Sequence, residues 1–183
     1  MNPAPYSAVL APLPRPEDWQ AHLPDELNLN DPPLGAFDLF AAHLAGQSAL
    51  PYAFVNWFGL VPQQMLFVGL ANPPSASGLP QATRTMPELT HGYCPDVYET
   101  GRTLILNDTL AYARFASNPV IDEFGVRTYQ GAQLRDPRTG KRWGTICATG
   151  PNPRARDVGR PAKQLMEHLR DLLVEAVVER SRP

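Results

Sequence analysis

The chain has 183 residues, 16 basic against 18 acidic, for a formal net charge of -2; one domain plus a tail is expected, able to bury roughly two thirds of its surface without a metal or disulfide staple. No Lys/Arg-rich run tracks a phosphate backbone, which argues against nucleic acid as a partner, and two cysteines, Cys94 and Cys147, are too few for a secreted disulfide framework or a Cys-rich zinc site. With no basic head before an apolar stretch at the N-terminus and no run of about 18 apolar residues, a cytoplasmic protein without a membrane partner is expected.

Residues 1–30 are crowded with Pro3, Pro5, Pro12, Pro14, Pro16 and Pro24, each of which removes a backbone donor and fixes φ, so this segment reads as an extended arm. The domain proper is expected over 31–183. Asp31 is a candidate N-cap with Pro32 in the first helical position, and Leu34, Phe37, Phe40, Ala41 and Leu44 follow at helical spacing, ending near Gly46. Tyr52 to Leu60 and Met65 to Leu70 read as a hairpin, and Ala71 to Gln81 as a loop. From Met86 to Thr100 a short helix is predicted, interrupted by Pro95 in a first turn or a kink and closed by Gly101. Thr103 to Leu106 reads as a short buried strand. Asp108 to Phe124 is expected to be helical in pieces, with Asn118 capping the second. Val126 to Leu134 and Arg142 to Ala148 flank a Pro- and Gly-containing turn and form a second hairpin. From Pro161 onward, Leu165, Met166, Leu169, Leu172, Leu173, Ala176 and Val177 share one face of a long amphipathic helix. Paired hairpins with helices between them argue an α+β domain on an antiparallel sheet.

Four pieces in order, CPDVYETGRTLILND (Cys94 to Asp108), YARFASNPVIDEFGVRTYQGAQL (Tyr112 to Leu134), DPRTGKRWGTICA (Asp136 to Ala148) and NPR (Asn152 to Arg154), resemble the GAF domains of bacterial signalling proteins. The resemblance implies a central antiparallel sheet with helices on both faces and a pocket between the sheet and the segment Cys94 to Gly125. Positions matching pocket walls are Cys94, Asn107, Asp108, Tyr112, Phe115, Tyr129 and Cys147. One departure is visible: Ala148-Thr149-Gly150 stands where the family's strand usually runs on through aliphatic residues to an Asp. The family binds many ligands with one scaffold, so no particular ligand or cofactor is implied. Asp122-Glu123 resembles the acidic pair of cyclic-nucleotide GAF domains, but the rest of that signature is absent.

Each candidate has a plain structural reading beside the functional one. Cys94, three residues after His91, is a nucleophile lowered by an imidazolium or simply a small buried hydrophobe. Strand alternation puts Trp143, Thr145 and Cys147 on one face, from which Cys147 can approach Cys94. Asp108 is a ligand anchor or a helix cap. Tyr112, Phe115, Phe124 and Tyr129 stack on a planar ligand or fill the core. Arg127 and Arg135 meet an anion or remain solvated strand-end charges. His22, His43, His91 and His168 are scattered, so no metal site is expected, although a single axial His, His91, leaves haem open.

A GAF relative reduces free methionine sulfoxide with pocket cysteines, but its cysteine pattern is missing here. The expected role is therefore a small-molecule sensor, not an enzyme, that acts through a signalling partner protein. A scaffold with a closed pocket and a thiol switch using Cys94 and Cys147 stay open. Homodimerisation is expected through the first and last helices, because the apolar stripe of the last exceeds what one sheet face covers.

Overall fold

A computed structural model describes residues 19–71, 84–87 and 91–181. Helix α1 (Leu34–Ser48) is followed by strands β1 (Tyr52–Val61), β2 (Gln64–Ala71) and β3 (Thr85–Pro87), helix α2 (Cys94–Thr100) and strand β4 (Leu104–Leu106). Helix α3 (Pro119–Phe124), strands β5 (Thr128–Arg135) and β6 (Arg142–Gly150) and helix α4 (Gly159–Arg180) complete the chain, with single 3-10 turns at Thr109–Ala111 and Arg156–Val158. The strands form one sheet in the order β3-β2-β1-β6-β5-β4, and every neighbouring pair is antiparallel. This is the expected α+β architecture.

The sheet buries both faces, each against its own helices. One face carries Val55, Trp57, Val68, Ala132, Leu134, Ile146 and Ala148, packed against Phe37 and Phe40 of α1 and Met166, Leu169 and Leu173 of α4. The other carries Phe54, Phe67, Tyr129 and Cys147 beneath Cys94 and Val97 of α2 and Val120 of α3. Because both faces are covered, β5 and β6 read as almost continuously buried strands, and their alternation shows in which cluster each residue joins.

Several expectations are corrected. Helix α1 is preceded by Pro33 in extended conformation with no side-chain cap, so Asp31 does not cap it. The Met86 to Thr100 stretch splits into β3, which pairs with β2, and α2, whose Pro95 lies in the first turn, where its missing N–H costs nothing. Gly101 ends α2 with φ +68, as expected of a left-handed cap. Trp143 does not share a face with Cys147: Leu134 pairs with Gly144 and Arg135 with Arg142, so Trp143 is the extra residue of a β-bulge. The bulge turns its ring to the α1/α4 face, where it stacks on Trp57 with centroids 6.1 Å apart.

The described part of the arm is not loose. Trp19 is fully buried, edge-on to Phe40 at 4.9 Å, Leu23 and Leu27 join the same core, and Leu27 N donates to Arg180 O at 2.9 Å. Residues 1–18, and the loop expected at Ala71 to Gln81 from residue 72 onward, lie outside the described residues. Leu169 and Leu173 of α4 are buried within the single chain, at 2% and 0% exposure. Of the apolar stripe, Leu169 and Leu173 are thus covered by the chain's own core, while Leu165 and Leu172 are only partly buried.

Candidate functional site

Four elements meet at a polar cluster inside the α2 face of the sheet. Helix α2 starts at Cys94 and presents its sulfur to β6, where Cys147 pairs with Phe54 of β1 and Gly131 of β5. The two sulfurs stand 3.4 Å apart as free thiols. On β1, Asn56 pairs with Thr145 of β6, and Asn56 Nδ2 lies 3.0 Å from Cys94 Sγ, 2.9 Å from Thr145 Oγ1 and 3.5 Å from Cys147 Sγ. From β5, Tyr129 Oη reaches Cys94 Sγ at 3.2 Å. All five side chains are buried, Asn56 and Thr145 completely.

Gly131 makes room for this arrangement. A Cβ at that position would collide with the Tyr129 ring and hydroxyl, so the tyrosine can lie across the strand toward Cys94 only because residue 131 has no side chain.

The electrostatics of the pair are asymmetric. Burial pushes the Cys94 thiol up, but hydrogen bonds from Cys147, Tyr129, Thr145 and Asn56 outweigh it and hold Cys94 below the ordinary cysteine range. Burial, then the hydrogen bond and the charge interaction with Cys94, push Cys147 well above that range. Tyr129 is raised by burial and by both sulfurs. Cys94 is therefore the sulfur that ionises first, while its neighbours keep their protons to donate to it.

His91 does not play the expected part. It precedes α2 rather than sharing a face with Cys94 on it, and its Nε2 lies 3.3 Å from Glu123 Oε1. Among the described residues no group of three or more His, Cys, Asp or Glu could hold a metal ion.

The other expected site residues fall into two places. Phe115 packs at the margin of the dithiol face, its ring edge-on to Tyr93, which in turn meets Tyr129. Asn107, Asp108 and Tyr112 instead line an open groove of about 910 Å³ between the end of β4 and the start of α4. Asp108 is a cap, accepting from Leu110 N at 3.2 Å, and its carboxylate also takes Arg127 Nη2 at 2.9 and 3.0 Å. Sequence reasoning missed Asn56. The signal was an amide in the middle of Phe54-Val55-Asn56-Trp57-Phe58, an otherwise apolar run in which a buried polar residue needs partners.

No curated protein sequence matches the chain. Among solved structures, a free methionine-R-sulfoxide reductase from Neisseria meningitidis in complex with its substrate is similar at 13% identity, covering 90% of this chain and 87% of that one with a TM-score of 0.64. A protein described as a GAF sensor from Burkholderia vietnamiensis gives 17% identity, 92% and 94% coverage and a TM-score of 0.62. A type II free methionine-R-sulfoxide reductase from Thermoplasma acidophilum gives 10% identity, 83% and 96% coverage and a TM-score of 0.60. At these identities the likeness concerns the fold. Even so, two of these neighbours are catalysts, which overturns the expectation that a domain of this shape binds without being an enzyme. In the described residues no helix is long and apolar enough to cross a membrane. The GAF domain model matches residues 33–177, a span that takes in the whole sheet, both faces and the dithiol, and on that match the chain belongs to the GAF domain family.

Proposed function

We propose that this GAF domain is a redox-responsive regulatory domain in which Cys94 and Cys147 are a two-electron thiol–disulfide couple, oxidised by a small hydroperoxide and read by a signalling partner protein. The observation that carries this reading is the 3.4 Å separation of two buried sulfurs, of which Cys94 is held below the ordinary cysteine range and Cys147 above it. Cys94 Sγ attacks the distal peroxide oxygen; the O–O bond breaks, the alkoxide leaves as the alcohol after taking a proton, and Cys94 becomes a sulfenic acid. Cys147 Sγ then attacks that sulfur; the S–S bond forms, the S–O bond breaks, and hydroxide leaves as water with the Cys147 proton. Two thiols and one hydroperoxide give one disulfide, one alcohol and one water.

Bond formation draws the sulfurs together by about 1.4 Å, to the covalent S–S distance. Cys94 opens a helix of only 7 residues, whereas Cys147 sits in the centre of the sheet, so α2 is the element that moves. That displacement is the signal a partner would read.

With one equivalent of hydrogen peroxide, the intact mass should fall by two hydrogens, and dithiothreitol should restore it. Cys147→Ser should stop at a sulfenic acid that dimedone traps on Cys94. Unchanged thiols in the folded protein under excess peroxide, with normal oxidation once unfolded, would show the pair to be packing alone. A parallel arm with free methionine sulfoxide and dithiothreitol, followed by methionine release, asks whether the couple turns over as its structural neighbours do; release above the level of the Cys94→Ser protein would make the domain an enzyme.

A second reading rests on Asn56 Oδ1, which is buried and accepts no hydrogen bond. A small, largely apolar molecule with one N–H or O–H donor, entering between α2 and the sheet, would satisfy it. This is the family's commoner sensor role. A thermal shift with such a ligand that is lost in Asn56→Leu, while Asn56→Leu remains folded, would support it.

A further inference from the structure

The groove holding Asn107, Asp108 and Tyr112 lies outside the dithiol cluster and has its own chemistry. Its wall is the segment from Pro153 to the first turn of α4, which brings Arg154, Arg156, Arg160 and Lys163 to one cavity of about 910 Å³ in a chain whose net charge is -2. Arg154 donates one N–H to Ser48 O at 2.8 Å, and Lys163 makes only a long, exposed contact with Glu167 at 3.8 Å. Among the described residues no carboxylate is paired with Arg156 or Arg160. The one carboxylate lining the groove, Asp108, is neutralised by Arg127. The positive end of the 22-residue helix α4 opens into the same space.

A second feature points to a ligand with more than charge. Asn107 lines the groove at 7% exposure and ties the two walls together, its Nδ2 donating to Arg156 O at 3.4 Å and its backbone carbonyl accepting from Arg154 N at 2.7 Å, yet its side-chain Oδ1 accepts nothing. A buried acceptor without a donor is costly, and a ligand hydroxyl would satisfy it. Tyr112, 40% exposed, offers an apolar surface on the same cavity.

We infer that this groove binds a small phosphorylated polyol of the sugar-phosphate class: the phosphate on Arg156, Arg160 and Lys163 at the start of α4, and hydroxyl groups on Asn107 Oδ1 and the Asp108 carboxylate. Phosphate geometry suits a guanidinium pair. The site is independent of the dithiol and does not require its oxidation.

Glucose 6-phosphate serves as the probe, with glucose, inorganic phosphate, phosphatidylglycerol vesicles and single-stranded DNA as the comparison arms, by isothermal titration on the full chain. Glucose 6-phosphate should bind saturably and at least tenfold more tightly than inorganic phosphate, glucose should not bind, and raising the salt should weaken binding. Arg156→Ala with Arg160→Ala, both exposed, should leave the melting temperature unchanged and lower affinity at least tenfold. Asn107→Asp, which returns an acceptor but adds negative charge, should also weaken it. Absence of saturable binding, equal affinity for inorganic phosphate, affinity unmoved in the double variant, or tighter binding to vesicles or DNA would each overturn the assignment.

Discussion

Tyr129 Oη stands 3.2 Å from Cys94 Sγ, and the two groups are moved in opposite directions, the thiol down and the phenol up. A donor that keeps its proton is what a buried thiolate needs. Thiolate absorbance near 240 nm should therefore titrate in two separate steps, the first below and the second above the range of free cysteine. Cys94→Ser should remove the first step and lower the second, since Cys147 then loses the partner that raises it while the effect of burial remains. Tyr129→Phe should shift the first step upward, because one of four donors is lost. Equal midpoints for both thiols would contradict the asymmetry.

The same shifts set the pH dependence of stability. Cys94, depressed in the fold, contributes stability that is present above its unfolded pKa and lost as pH falls through its folded one. Tyr93 acts the other way: burial pushes it up to about 12, offset only in part by Thr109, so its contribution is present below the unfolded tyrosine pKa of about 10 and lost as pH rises toward 12. Urea titrations at pH 9.5 and 11.5 should show an alkaline loss to which this residue contributes on the order of 2 kcal/mol, and Tyr93→Phe should reduce it by that amount while the loss from the raised Cys147 and Tyr129 remains.

Gly131→Ala is a precise probe of the site because it touches no sulfur. The new methyl group would drive the Tyr129 ring from its place across β5, at a cost of about 1–3 kcal/mol for overpacking. Its thiol titration should resemble that of Tyr129→Phe. A variant with wild-type titration and wild-type stability would mean that Tyr129 is not held by this contact.

A disulfide between Cys94 and Cys147 would cross-link residues 53 apart in sequence, and oxidation should stabilise the fold. Loop-closure entropy for that length is worth about 4 kcal/mol before strain, so a gain of about 2–4 kcal/mol is expected. The corresponding rise in melting temperature is about 5–10 °C, reversed by dithiothreitol. A fall instead would indicate that α2 cannot approach β6 without breaking its packing.

Much of this fold is written in local pattern, and what is not depends on neighbours distant in sequence. The strands β1, β2, β5 and β6 are legible in their own residues, with expected bounds within two residues of the observed ones, and helix α4 begins two residues before its expected start. β3 has only 3 residues and exists because β2 offers it an edge, which no local pattern announces. Trp143 obeyed alternation on paper but is displaced by a bulge against Leu134 and Arg135, a property of the pair of strands. At the site, Cys94, Cys147 and Tyr129 lie together, while Asn107, Asp108 and Tyr112, which the resemblance puts among the same pocket walls, line a separate groove. The chain turns at the end of β4, and that turn carries them to the α4 side.

Trp19 shows why composition misleads for the arm. Proline-rich sequence excludes neither a short helical stretch, here at Trp19 and Gln20, nor burial, and one fully buried tryptophan against Phe40 anchors the described part of the segment. Trp19→Ala should cost about 3–5 kcal/mol, as for large aromatic truncations in cores. Guanidinium denaturation would read it; a loss below about 1 kcal/mol would return the segment to the status of a loose arm.

Asp108 closes the question of cap against ligand anchor with a graded series. Its carboxylate caps the 3-10 turn at Leu110 N and holds Arg127, both groups being about one third exposed. Asp108→Ala removes cap and ion pair together and should cost about 1–2 kcal/mol. Asp108→Asn retains a good cap and loses only the partly screened charge, so about 0.5–1 kcal/mol is expected. Arg127→Met should cost about the same as Asp108→Asn, and the double substitution Asp108→Asn with Arg127→Met should cost less than the sum of the two, since the pair is broken by either. Strict additivity in that cycle would mean that the contact contributes nothing to stability. The Asp108→Asn protein, destabilised by no more than that and still folded, would then report the ligand role: weaker glucose 6-phosphate binding assigns the carboxylate to the groove, and unchanged binding leaves it a cap.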